Sequence, residues 1–164
     1  MLVMKVTFTR VHAKGYAVSV EGPGIDPVKM HPAPGYDPRL PHDVAHFIVE
    51  NELGIMGGIF GQLAVGGTAN TFFSDDAKSR RKARKRGTDL MKANKGDALF
   101  SEHAVYAAQS RWEKHDMIPD TKIPQPDLDR IIAKFEAFAA EWSNLRVGGS
   151  ITLEWDHRGR KRTK

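Results

Sequence analysis

Residues 41–54, Pro41-His42-Asp43-Val44-Ala45-His46-Phe47-Ile48-Val49-Glu50-Asn51-Glu52-Leu53-Gly54, decide how this chain is organised. Proline suits the first turn of a helix, where its missing N–H costs nothing, and glycine suits the residue just past the end. The spacing therefore predicts a helix over 41–53 that stops at Gly54. Val44, Phe47, Ile48 and Leu53 recur at helical spacing as its apolar face, with His42, His46, Val49 and Glu50 on an adjoining stripe. Positions i and i+4 lie one turn apart on the same face, so both imidazoles can reach one cation, with Asp43 beside them.

Upstream, residues 3–10 alternate as a strand and 16–21 do so again after the turn-forming Lys14-Gly15, which makes a hairpin. The segment 21–41 holds six of the nine prolines and reads as loop, with 28–31 as a short third strand. Downstream, 54–67 carries six glycines among apolar residues and reads as a buried, closely packed segment. Ser74-Asp75-Asp76 is a helix start. The helix it opens is crowded with Lys78, Arg80, Arg81, Lys82, Arg84, Lys85, Arg86, Lys92 and Lys95. A further helix is expected from Ser101, as N-cap, to His115, and a last one over 126–145 whose core face is Leu128, Ile131, Ile132, Phe135, Phe138, Ala139 and Trp142. After Gly148-Gly149, Ile151, Leu153 and Trp155 alternate as a closing strand. The expected fold is one α+β domain over 1–156, a small antiparallel sheet of the N-terminal hairpin plus the C-terminal strand packed on three to four helices, followed by a basic disordered tail, 157–164.

Composition narrows the chemistry. A chain of 164 residues, 40% hydrophobic and 27% charged, is long enough to bury a core unaided. No run approaches the roughly 18 apolar residues of a membrane span, and 1–10 reads as a strand rather than an export signal. With no cysteine, disulfides, thiolate metal sites and cysteine nucleophiles are all excluded, and the cytoplasm is the expected location. Any metal site must use His, Asp and Glu, which suits zinc, with iron or manganese as alternatives. Neither a G-x-x-x-x-G-K-[ST] phosphate loop nor a G-x-S-x-G nucleophile motif occurs.

His42-Asp43-Val44-Ala45-His46 resembles, in variant form, the H-E-x-x-H signature of the zincin metallopeptidases. The resemblance implies a zincin-like arrangement of sheet and helices, with His42 and His46 as zinc ligands and Asp43 as the general base. It also implies an activated water attacking the carbonyl of a peptide or a small amide or ester. Asp is one methylene shorter than Glu, and Pro41 puts the first ligand in the opening turn, departures that fit weak or lost activity. The longer stretch 41–61 resembles small bacterial proteins of uncharacterised activity and implies no chemistry.

A catalytic zinc needs a third protein ligand. Glu50 continues the spacing, yet at 1.5 Å per residue it lies about 12 Å along the helix from His42, which makes it an outer partner rather than a third ligand. Glu102 resembles the helix-borne glutamate that completes some zincins, His103 is the alternative, and Asp75, Asp76, His31 and His12 stay open. The adjacent pair His42-Asp43 also resembles HD-type phosphohydrolases, but those are largely helical. A different class of function, a non-enzymatic interaction module, would work through the basic helix. Arg80, Arg81, Lys82, Arg84, Lys85 and Arg86 would then contact nucleic-acid phosphates non-specifically.

Overall fold

The computed structural model describes residues 3–156 apart from 34, 36, 70, 71, 73–75 and 118. The expected basic tail, together with Ser74 and Asp75, lies outside the described residues. Strands β1 (Met4–His12), β2 (Gly15–Gly22), β3 (Ile25–Met30) and β4 (Ser150–Trp155) form one antiparallel sheet in the order β3-β2-β1-β4. Alternation sets its two faces. Met4, Val6 and Phe8 are buried and register with Trp155, Leu153 and Ile151 on one side, while Val6 and Phe8 register with Val20 and Val18 on the other. On the opposite face Thr7 meets Thr152 at 2.9 Å and Thr9 meets Ser150 at 2.8 Å, hydroxyl to hydroxyl.

The third strand begins earlier than expected, at Ile25, and includes Pro27. Proline removes a ladder donor, but β3 is an edge strand whose outer N–H groups need no partner. Among the described residues five helices follow the hairpin rather than three to four: α1 (His42–Leu53), α2 (Ile59–Ala64), α3 (Ala77–Ala93), α4 (Asp97–Trp112) and α5 (Gln125–Ser143). The additional one, α2, lies inside the glycine-rich 54–67 segment, where low helix propensity hid it. None of the described helices is long and apolar enough to cross a membrane.

Helix α1 lies at the centre of the fold. It starts at His42 with Pro41 as N-cap and ends at Gly54, whose φ of 64° is the left-handed conformation that glycine adopts without strain. Phe47 packs edge-on against Phe8, Phe60 and Trp155 at centroid distances of 6.4, 5.1 and 5.7 Å. Phe138 of α5 reaches Phe8 at 5.8 Å. With β-sheet, α2, α4 and α5 all against it, α1 buries every residue from Asp43 to Glu50.

Burial on so many sides forces a choice on the polar residues of α1, since a buried polar group needs a partner. Asp43, His46, Glu50 and Glu52 find one on neighbouring elements. Asp43 accepts a short hydrogen bond from the Tyr16 hydroxyl of β2. Glu52 pairs with Arg130 and Lys134 of α5. His46 and Glu50 are both joined to Ser101 of α4.

Candidate metal centre

His42 and His46 stand one turn apart on α1, and their Nε2 atoms are 3.1 Å apart. Helix α4 lies across them. Its buried Ser101 faces inward, and the next residue, Glu102, brings Oε1 to 3.5 Å from His46 Nε2. One donor atom from each of His42, His46 and Glu102 falls within 4.8 Å of the others. Tetrahedral ligands about 2.0–2.1 Å from a zinc ion are roughly 3.3 Å apart. The two separations at His46 Nε2 bracket that value, and all three donors lie within 4.8 Å. His46 is buried, whereas His42 and Glu102 are exposed, which leaves one side of the group facing solvent.

The far side of the His46 ring is held as tightly. Its Nδ1 lies 3.2 Å from Ser101 Oγ and 3.5 Å from Glu50 Oε1, and Ser101 donates its hydroxyl to the same Glu50 oxygen at 2.7 Å. Glu50 also accepts the backbone N–H of Ile59 at 3.0 Å and of Phe60 at 2.8 Å, the free donors of the first turn of α2. Close approach makes this possible. A side chain at Gly58 would place Cβ only 2.3 Å from Glu50 Oε1. The buried carboxylate thus draws the start of α2, the middle of α1 and Ser101 together behind the imidazole.

Protonation follows from these neighbours. Burial alone would lower the basicity of His46, yet the hydrogen bond and charge of Glu50, with the charges of Glu102 and Asp43, outweigh it and move the pKa up from 6.5. His42 moves down, through burial first and then repulsion from His46. Burial pushes the Asp43 carboxyl up, against the opposing effects of the Tyr16 hydrogen bond and the two imidazoles. The Tyr16 phenol moves far up, through burial and then the charge of Asp43.

The other candidates lie elsewhere. His103 is exposed and lines a cleft with Leu99, Phe100, Asp120 and Lys122, so α4 presents Glu102 rather than His103 to the imidazole pair. Asp76 caps α3 by accepting the N–H of Ser79 at 2.8 Å. His12 accepts the N–H of Lys14 at 3.2 Å in the β1–β2 turn, and His31 is exposed just after β3. Neither joins the group, so no third imidazole completes an HD-type centre among the described residues.

Ser101 is a site residue that sequence reading misplaced. It was expected to cap α4, but the helix begins at Asp97, after Gly96 with φ 87°, and Ser101 is its fifth residue. Its place directly before the candidate ligand Glu102 is the local signal for its role. Tyr16 and the N-terminus of α2 carry no comparable signal, because their partners lie 27 and 9–10 residues away in the chain.

Arg80, Arg81, Lys82, Arg84, Lys85 and Arg86 are all exposed on α3, which buries only Ala83 and Gly87. Comparison with known proteins finds no match, whether to a family model, a curated protein or a solved structure.

Proposed function

We propose that His42, His46 and Glu102 hold one divalent transition-metal ion, zinc first and iron or manganese as alternatives, and that the protein is a metal-dependent hydrolase. The supporting observation is the pair of separations at His46 Nε2, 3.1 Å to His42 and 3.5 Å to Glu102, with the same ring oriented from behind by Ser101 and Glu50. Metal-bound histidines almost always give their second N–H to a carboxylate, carbonyl or hydroxyl in this way. Three protein ligands with a solvent-facing side match a catalytic centre, whereas a structural zinc is enclosed by four.

When bound, such an ion supplies Lewis-acid activation of water and of a carbonyl oxygen. Asp43 is the proton acceptor in this reading. Tyr16 orients its carboxylate, and burial shifts its pKa in the direction that makes a better base near neutrality. The resemblance of 42–46 to the zincin signature supports a peptide or a small amide or ester as substrate. The cytoplasm belongs to the reading as well, since a site built from imidazole and carboxylate needs no protected thiol.

The test uses untagged protein, stripped with chelator and dialysed separately against zinc, iron and manganese. Uptake of about one ion per chain is expected, with a rise in melting temperature that His46→Ala abolishes. Failure to retain metal, with the melting temperature unchanged by zinc, overturns the proposal. Hydrolysis of a peptide library and of activated esters by the loaded protein, lost in Asp43→Asn with metal retained, tests the catalytic half.

A further inference from the structure

Helix α3 differs from every other element in what it shows to solvent. Residues 78–86 contain seven Lys or Arg and no acid. At 1.5 Å per residue this segment is about 12 Å long, or about one positive charge per 1.7 Å of axis, which equals the charge spacing of duplex DNA with the sign reversed. The charge also surrounds the helix. Ala83 and Gly87 form the packing stripe, and 100° per residue puts Arg80 and Arg84 on one flank, Lys82 and Arg86 on the other, and Lys78, Arg81 and Lys85 along the crest.

The stripe explains how the rest stays free. Gly87 sits against the turn that follows α2. A Cβ on Gly67 would come within 3.0 Å of Gly87 Cα, and one on Gly87 within 3.2 Å of Gln62 Oε1. Small residues let α3 rest on that turn along a narrow line, so the basic side chains on both flanks and the crest remain exposed. Lys85 pairs with Asp89 at 2.9 Å, but both are largely exposed, and a phosphate can displace such a pair at little cost.

We propose that α3 is a binding element for double-stranded DNA, lying in the major groove and contacting phosphates on both walls without base specificity. A helix of 10–12 Å diameter matches a groove about 12 Å wide, and cations on two flanks match a ligand with anions on two sides. An anionic membrane is a flat surface and selects a helix with an apolar face. On α3 the exposed large hydrophobic side chain is Met91 alone. Single strands are held by aromatic stacking, and α3 carries no aromatic residue. The major groove of A-form RNA is too narrow to admit a helix. This binding is independent of the metal centre.

Anisotropy of a labelled duplex of about 20 base pairs, titrated with the full chain between about 25 and 200 mM salt, tests the proposal. With five phosphate contacts the slope of log K against log salt is about −4.5. The variant Arg81→Gln, Lys82→Gln, Arg84→Gln, Lys85→Gln keeps helix propensity. It is expected to bind at least about 100-fold more weakly at 50 mM salt and to flatten the slope. A control with the same charge loss elsewhere, Lys5→Gln, Lys29→Gln, Lys114→Gln, Lys122→Gln, should stay within about threefold of the parent. Equal loss in both variants would mean that net charge, not α3, does the binding, and would overturn the proposal. So would absence of duplex binding at low salt, or equal or tighter binding to a single strand of the same length or to vesicles rich in phosphatidylserine.

Discussion

Ser101 on α4 donates its hydroxyl to Glu50 on α1 at 2.7 Å, while its oxygen lies 3.2 Å from His46 Nδ1. One hydroxyl therefore connects a buried carboxylate to the imidazole whose opposite nitrogen faces His42 and Glu102. The orientation of the candidate ligand depends on this link between two helices.

Replacing the link should affect metal and fold separately. Ser101→Ala removes a donor from Glu50 and a neighbour from His46 without removing any candidate ligand. Zinc affinity, read by competition with a fluorescent chelator, should fall about 10–100-fold. Stability without metal should fall by about 1–3 kcal/mol, seen in urea unfolding. Unchanged zinc affinity would show that the hydroxyl does not orient the ring.

Gly58→Ala should reach the same centre from the opposite direction. The new Cβ would meet Glu50 Oε1 at 2.3 Å, and that carboxylate cannot simply swing aside because Ile59, Phe60 and Ser101 all donate to it. A loss of about 1–3 kcal/mol is expected, together with weaker zinc binding, since Glu50 can only shift by pulling Ser101 with it. Full stability and full affinity would mean that α2 moves as a unit.

Metal binding should release a proton. Imidazole must be neutral to coordinate, and the pKa of His46 is raised above 6.5, so near that pH much of the metal-free protein carries a proton on this ring. Affinity should therefore rise with pH through the folded-state value of His46 and level off above it. Calorimetry at pH 6.5 in buffers of different ionisation enthalpy should give up to about one proton released per ion. A heat independent of buffer would remove His46 from the ligand set.

The Tyr16 phenol should resist ionisation for as long as the protein is folded. Its pKa is raised, so the contribution to stability is complete below the unfolded value near 10 and is lost as pH rises above it. Alkaline titration at 295 nm should show Tyr16 ionising only with unfolding. In Tyr16→Phe the amplitude below the unfolding transition should match the parent, and a smaller amplitude would show that Tyr16 titrates in the native state.

Local chemistry was easy to read and long-range partnership was not. Proline at 41 and glycine at 54 bound α1 because caps act within a turn, and rough alternation placed β1, β2 and β4. Helix α2 escaped notice because Gly61 is an unfavourable helix residue, and it lies among glycines whose role is closeness. A Cβ there would come within 2.0 Å of the Met56 carbonyl oxygen. Ser101 has the chemistry of a cap as well as that of a buried bridge, and only the packing of α4 on α1 distinguishes them. The spacing of His42 and His46 made them visible as a pair, whereas Glu102 is 56 residues beyond His46 and is joined to it by tertiary structure alone.

The central strand β1 pairs with β2, made just after it, and with β4, which comes after α5 in the chain. Phe47 of α1 is packed against Trp155 of that late strand. During synthesis, then, the hairpin can pair early, but the packing of Phe47 on Trp155 is complete only once residues 150–155 have been made. The candidate ligands His42 and His46 lie on α1, so a chain cut before β4 carries His42, His46 and Glu102 without the strand that backs their helix.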